Sequence, residues 1–384
     1  MKKILLMAAF CLATLMISAS GCSRGSERRV SDTGSIPSVA DTAVVQAEAD
    51  TAIAVDSIVL AFVGDIMMGT TFPDSVRYSH LPADGGKRLF DASGPLLRGA
   101  DAAFGNLEGT LLDPERGTPK KCKDPAVCYA FRTPPYYVSN LKEAGFDFMS
   151  IANNHMNDFG SVGRSSTMAT LDSVGISYAG IAGKHAVAEF ERGGLRIGVA
   201  AFGHGGVAPL ITDIGSAVST VKELKKRNDI VVVSFHGGGE GEDWSHLIFD
   251  KEEFHGENRG DVTAFARAAV EAGADVVYGH GPHVPRAAEL YNGRLILYSL
   301  GNFCTPYRVN ISGVSGYAPL VTATLSADGR FLGGRIHSFV QRYGAGPAAD
   351  PDHKAARRIK SLSEEDLPGS PLKISATGVM RPGL

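Results

Sequence analysis

Ala274-Asp275-Val276-Val277-Tyr278-Gly279-His280-Gly281-Pro282-His283 is a short apolar run that breaks into a tight, glycine-rich turn carrying two imidazoles. A run of this kind, rich in Val and closed by Gly, reads as a buried strand. Its end places both rings at the C-terminal edge of a sheet, where α/β folds gather their reactive groups. Taken alone, the pair is open to two readings: metal ligands, or polar side chains satisfied within the loop. Other strand ends must decide.

Outward from this stretch the same punctuation recurs. Residues 261–272 read as an amphipathic helix with Gly273 just past its end. Before it, the β-branched strand 229–235 runs directly into His236-Gly237-Gly238-Gly239-Glu240. A helix is expected over 217–227, and a strand over 195–202 that ends at Gly203-His204. In the first half, the apolar run 57–63 opens into Gly64-Asp65, and residues 102–104 into Gly105-Asn106-Leu107-Glu108. A helix ending at 141–144 is closed by Gly145. The strand 146–151 then delivers Ala152-Asn153-Asn154-His155-Met156-Asn157-Asp158, with a helix over 165–174 beyond. Downstream, a strand at 294–297 leads to Ser299-Leu300-Gly301-Asn302-Phe303, and 317–326 with 331–341 form a closing hairpin around Asp328-Gly329.

Strands alternating with helices predict an α/β fold with a mainly parallel sheet, whose C-terminal edges lie together. Asp65, Glu108, Asn154, His155, His236, His280 and His283 would then converge in one cleft. Carboxylate, amide oxygen and imidazole make a mixed oxygen and nitrogen set suited to Zn, Mn, Fe or Mg. One or two divalent ions are expected, since two ions about 3.5–4 Å apart activate water against phosphoryl or acyl centres.

These motifs resemble the bacterial CapA family, associated with poly-γ-glutamate capsule synthesis and export. The resemblance runs in order through Phe62-Val63-Gly64-Asp65-Ile66-Met67, Gly105-Asn106-Leu107-Glu108, Ala152-Asn153-Asn154-His155 with Asp158-Phe159-Gly160, Gly279 to His283, and Tyr298 to Phe303. It implies a calcineurin-like metallophosphatase fold, a four-layer αββα sandwich forming one catalytic-type domain over about 57–345. It further implies Asp65, Glu108, Asn154, His236, His280 and His283 as metal ligands. His155 would be the proton donor or orienting group, with Asp158 beside it, and Arg132 would clamp substrate charge. The activity implied is metal-dependent hydrolysis or transfer; the competing reading is a polymer-binding or assembly subunit that keeps the fold without turnover. An anionic polymer such as poly-γ-glutamate and membrane ligase or exporter subunits are the implied partners.

Departures from the metallophosphatase pattern carry their own expectations. Ile66 and Met67 follow Asp65 where Asp-x-His is usual, Glu108 stands where an Asp bridges two ions, and two residues rather than one separate His280 from His283. CapA-like sequences, which this chain resembles, commonly carry His-Trp-Gly before a Glu, whereas here Trp244 lies downstream of Glu240, so the wall beside His236 should be more open or differently shaped.

The termini address the chain. Lys2 and Lys3, the apolar stretch 4–17 and the small residues 18–21 read as a signal peptide over 1–21, and Ala19-Ser20-Gly21-Cys22 resembles a lipobox in which Cys22 is lipidated. Ordinary secretion is the alternative; both take the protein out of the cytoplasm, the first leaving it lipid-anchored to a membrane surface. Residues 22–56, rich in Ser, Thr, Ala, Asp and Glu, read as a flexible tether. Cys122 and Cys128 suit a short disulfide loop, with a zinc pair as the competing reading. Cys304 reads as a buried thiol. The tail 346–384, basic over 354–360 and broken by Pro368, Pro371 and Pro382, reads as peripheral. The 384 residues suffice for one large core or two smaller ones, and a formal net charge of -3 without a basic cluster gives no footprint for nucleic acid.

Overall fold

The computed structural model describes residues 56–73, 80–121 and 129–383. The expected signal peptide, the tether up to residue 55, Cys22, Cys122 and Cys128 lie outside these residues.

Strands buried on both faces are continuous apolar runs. In the first half these and their crossovers are β1 (Ser57–Ile66), α1 (Gly94–Arg98), β2 (Ala102–Leu107), β3 (Thr110–Leu111), β4 (Arg132–Thr133), α2 (Val138–Ala144), β5 (Phe148–Ser150), α3 (Gly160–Ser173) and β6 (Ser177–Ala179). The second half runs through β7 (Val187–Arg192), β8 (Leu195–Gly203), α4 (Ile214–Lys225), β9 (Ile230–His236), β10 (Glu252–Phe254), β11 (Glu257–Gly260), α5 (Val262–Ala272), β12 (Val276–His280), β13 (Ala288–Tyr291) and β14 (Arg294–Leu297). The chain then returns through β15 (Asn302–Cys304), β16 (Tyr317–Ser326), β17 (Phe331–Arg342), β18 (Ala345–Ala349), α6 (Lys354–Asp366), β19 (Leu372–Ile374) and β20 (Val379–Pro382).

Two sheets result rather than one. The larger follows the order β19-β20-β17-β16-β1-β2-β5-β6, with β15 beside β1 and β18 beside β17; the smaller is β13-β14-β12-β9-β8-β7. Alternation along each strand explains the four layers. Leu60 and Phe62 of β1 face Val232 of β9 and Tyr278 of β12 between the sheets. Ala61 and Val63 face outward against Leu97, Leu141 and Leu171 of α1, α2 and α3. Val231, Val233 and Val277 face outward against Val221 and Leu224 of α4 and Phe265 and Ala269 of α5. The αββα sandwich is therefore present, with each half contributing its parallel strands to a different sheet.

Local signals behave as expected. Gly145 and Gly273 close α2 and α5 in the left-handed conformation, and the Asp261 side chain accepts from Ala264 N at the start of α5. The C-terminal tail corrects the sequence reading. It is not peripheral: β18, β19 and β20 extend the larger sheet, and α6 buries Ala355, Ala356, Ile359 and Leu362. Ser338 of β17 accepts from Ala356 N, and Ser363 of α6 accepts from Ala288 N of β13, so α6 ties one sheet to the other. Ile359 packs between the sheets while Leu362 joins the outer layer beside α5. Among the described residues no helix is long and apolar enough to cross a membrane.

Candidate metal centre

Asp65 sits near the C-terminal end of β1, where β15 takes over from β16 as the neighbouring strand. It pairs with Asn302 on one side and Asn106 on the other, across a register break after Phe62. Gly64 is dictated by this crossing: a Cβ there would lie 1.9 Å from the carbonyl oxygen of Gly301. Asn106 donates to Asp65 Oδ1 at 2.8 Å, and Asn153 in turn donates to Asn106 Oδ1 at 3.0 Å, fixing the carboxylate from below.

The facing sheet supplies the imidazoles. His236 and His280 end β9 and β12 in register, with their Nδ1 atoms 2.9 Å apart, and Ser234 Oγ lies 2.9 Å from His280 Nε2. His280 Nδ1 is 3.7 Å from Asp65 Oδ1. His283, turned by a backbone φ of 59°, brings Nδ1 to 3.0 Å from Asp65 Oδ2 and Nε2 to 3.7 Å from Glu108 Oε1. A left-handed φ is costly for a side chain of this size, and such outliers cluster at functional sites. Two ligand groups follow, Asp65 with His236 and His280, and Asp65 with Glu108 and His283, the possible ligating atoms of each lying within 4.8 Å of one another.

Electrostatics favour a cation here. Burial pushes the Asp65 carboxyl up, but the hydrogen bond and charge of His283, with His280 behind it, outweigh burial and hold it below the usual range. Burial, reinforced by the Asp65 charge, raises Glu108 well above that range. Burial lowers His280 to about 4, and burial with the charge of His280 lowers His236 well below the ordinary imidazole value. His283 goes the other way: burial lowers it, yet Glu108 and Asp65 together raise it to about 10. Glu108 Oε1 and Asn154 Oδ1 are buried without a hydrogen-bond partner, and Asp65 Oδ2 meets only the His283 ring. Buried oxygens normally have a partner, and metal held among Asp65, Glu108, Asn154, His236, His280 and His283 would supply one to the two orphans. The residues present fit a divalent metal.

Beside this cluster, His155 Nδ1 lies 2.8 Å from Asp158 Oδ2, which also accepts from Phe131 N at 2.8 Å. Lys120 Nζ meets the other carboxylate oxygen at 2.6 Å. His155 Nε2 lies 3.8 Å from Glu108 Oε1, and the Phe131 ring packs on the imidazole with centroids 4.3 Å apart. Glu108, Asn154, His155 and His283 all line a cleft of about 650 Å³ whose outer wall carries Tyr129 and Arg308.

Arg132 is the expected site residue that the fold does not bring there. Its side chain is buried, with Nε donating to Thr71 Oγ1, Nη1 donating to the Arg116 carbonyl and the guanidinium over the Phe159 ring at 5.1 Å. Its Nε and Nη1 donors are committed to the scaffold, and it does not line the cleft. On the wall beside His236, Trp244 folds back so closely on Gly239 that a Cβ there would lie 2.1 Å from its ring. Sequence reasoning did not place Lys120, His204, Glu240 or Arg308 in the site. His204 and Glu240 each had a signal, their places in the strand-end runs Gly203-His204 and His236 to Glu240. Asn106 and Asn302, quoted only as parts of motifs, turn out to be the two side chains that frame Asp65 and His283, Asn302 Oδ1 lying 2.9 Å from His283 Nδ1.

Residues 59–307 match the sequence model of a family described as bacterial capsule synthesis protein PGA_cap. The chain is 30% identical over 269 residues to the capsule biosynthesis protein CapA of Bacillus anthracis, across 65% of this chain and 60% of that one. It is 31% identical over 267 residues to the PGA biosynthesis protein CapA of Bacillus subtilis (strain 168), across 65% and 63%. The match thus spans under two thirds of these relatives' own length. The solved calcineurin-like phosphoesterase YfkN from Bacillus subtilis superimposes with a TM-score of 0.42 at 14% identity, over 82% of this chain and 98% of that one.

Proposed function

The chain belongs to the bacterial capsule synthesis family PGA_cap, and on that premise we propose that it is an exported, Cys22-lipidated, divalent-metal-dependent hydrolase or transferase acting on poly-γ-glutamate or a related surface polymer. The observation that carries the reading is one buried carboxylate, Asp65, shared by two ligand groups at the foot of an open cleft. A divalent ion bound there supplies Lewis acidity toward an acyl or phosphoryl centre. The chain's own residues supply the rest. Asp158 fixes the ring of His155 through Nδ1, leaving Nε2 at the cleft to give a proton to a leaving group. Lys120 and Arg308, rather than Arg132, stand where an anionic substrate would lie. The Cys122–Cys128 pairing belongs to this reading as an oxidised loop of an exported protein, as do membrane ligase or exporter subunits as partners.

A second reading, a polymer-binding or assembly subunit without turnover, is favoured by one feature: Met67, where metallophosphatases place an imidazole, is buried in the core and offers no ligand. The test is metal content by elemental analysis of the purified protein, with His283→Ala and Asp65→Asn beside it, followed by assay against phosphate esters and γ-glutamyl polymers. Stoichiometric metal lost in both variants, with turnover in the wild type alone, is the expected result. Absence of metal from the wild type sinks the hydrolase, and metal without turnover on either substrate class favours the assembly role.

A further inference from the structure

A second cleft opens beside the first. It has a volume of about 570 Å³ and is walled by His204, Gly205, Gly206, Thr212 and Asn258. Lys120, Asn154 and Glu257 line both clefts, so the two meet at the edge of the ligand cluster. His204 stacks on His236 with centroids 5.6 Å apart, which sets the floor of the second cleft directly behind a metal-ligating ring. Each volume falls within the ~300–1,000 Å³ that holds a ligand of drug size. Two such volumes meeting at one centre suit something longer than a single unit.

The wall chemistry narrows what that is. Asn157, Asn258, Thr212 and the backbone at Gly205 and Gly206 offer amide and hydroxyl groups, a match for an amide-linked chain. The carboxylates nearby are offset: Arg259 lies 2.8 Å from Glu240 and 3.1 Å from Glu257. Lys120 and Lys121 border the first cleft, and Arg308 lies over the Tyr129 ring at 5.5 Å on its wall. Cations stand on both clefts, Lys120 on each, Lys121 and Arg308 on the first and Arg259 on the second, where amide and hydroxyl groups are added to them.

Resting on the reading above that the substrate is a surface polymer, we propose that the second cleft binds the continuation of an extended anionic polyamide, so that the centre engages an internal stretch of the chain and not its end. Gly205 allows a direct test, because no atom lies within 4 Å of a Cβ placed there. Gly205→Trp adds bulk to the cleft at a position where a Cβ meets no neighbour, and Thr212→Glu, at an exposed position, sets a like charge in its wall. The assay is fluorescence anisotropy of the full chain with a labelled γ-linked glutamate dipeptide and with labelled long poly-γ-glutamate, alongside metal content. We expect the wild type to bind the polymer more tightly than the dipeptide. Each variant should lose about tenfold in polymer affinity, or ~1.4 kcal/mol, with dipeptide affinity and metal content unchanged, and the Thr212→Glu loss should shrink with added salt. Polymer binding equal to wild type in both variants overturns the second cleft. Wild type that binds neither probe overturns the polymer reading itself and this inference with it, while metal content still reports separately on the centre.

Discussion

Arg286 offers the sharpest test of how the site is held. Its side chain is fully buried and makes two parallel bonds to Glu252, Nη1 to Oε1 at 2.7 Å and Nη2 to Oε2 at 2.8 Å. The same pair grips the loop after His236: Nη2 donates to the Gly239 carbonyl at 3.1 Å, and Gly239 N donates to Glu252 Oε2 at 2.7 Å. Arg286→Met leaves a buried carboxylate uncompensated, a loss of about 3–5 kcal/mol. Glu252→Leu strands the guanidinium at a similar cost. The double variant removes both charges and forfeits chiefly the two bonds to Gly239, about 2 kcal/mol. Coupling of several kcal/mol should therefore appear in a double-mutant cycle. At about 2 °C per kcal/mol for a domain of this size, each single variant should melt about 6–10 °C lower and the double about 4 °C lower. Thermal unfolding monitored by circular dichroism measures this. Single variants within about 1 kcal/mol of wild type, or strict additivity in the double, would refute the clamp.

Two further outcomes follow from the same reasoning. Burial, with a contribution from the Arg335 charge, lowers His337 to about 4, so the unfolded chain binds a proton between about pH 6.5 and 4 that the folded chain refuses. Stability is thus lost as pH falls through that window. Discounted for its partial exposure, His337 accounts for about 1–2 kcal/mol of the loss; His337→Gln should flatten the profile of denaturant midpoint against pH by that amount, and parallel profiles count against the assignment. Deleting residues 351–384 removes Ile359, Leu362 and Met380 from the core. At about 2–3 kcal/mol each, against a total of about 5–15 kcal/mol, the truncated chain should not fold; a cooperative melt near the wild-type temperature would show α6 to be dispensable.

The layers and the ligands were legible because they follow from period and punctuation. Strands such as 58–63 and 230–235 are apolar at every position but Ser234, as double-sided burial requires, and each ends in Gly followed by a polar group or runs straight into one. What the sequence hid was partition between sheets: nothing local says that β1 and β9 belong to different layers. The tail was misread for another reason. Its prolines and lysines drew attention from Ala355, Ala356, Ile359 and Leu362, whose three-to-four spacing is the helical signature. The hairpin of β7 and β8 was likewise signalled by the alternation in Val187-Ala188-Glu189-Phe190-Glu191-Arg192 and the pair Gly193-Gly194. Arg132 failed for a deeper reason, since sequence spacing does not say which side of a two-residue strand faces the cleft.

The departures from the metallophosphatase pattern resolve into one arrangement when the geometry is considered together. With Ile66 and Met67 in the core, no imidazole arrives beside Asp65 along its own strand. The extra residue in Gly281-Pro282 and the left-handed backbone at His283 instead turn that ring back onto Asp65 Oδ2, where Asn302 steadies it. Glu108, one methylene longer than Asp, reaches toward His283 but takes part in only one ligand group, whereas Asp65 takes part in both. Asp65, and not Glu108, is therefore the carboxylate common to the two groups. Asp65 is buried, held below the ordinary carboxylate range, and framed by Asn106 and Asn302, so it stays ionised while Glu108, pushed upward by burial and by Asp65 itself, holds its proton more readily. Any ion that enters must displace the proton balance between Glu108 and His283, whereas the ligands Asp65, His236 and His280 are already in the protonation state a metal requires. The two groups are thus unequal by construction, with the site between Asp65, His236 and His280 preorganised and the one shared with Glu108 and His283 dependent on proton release.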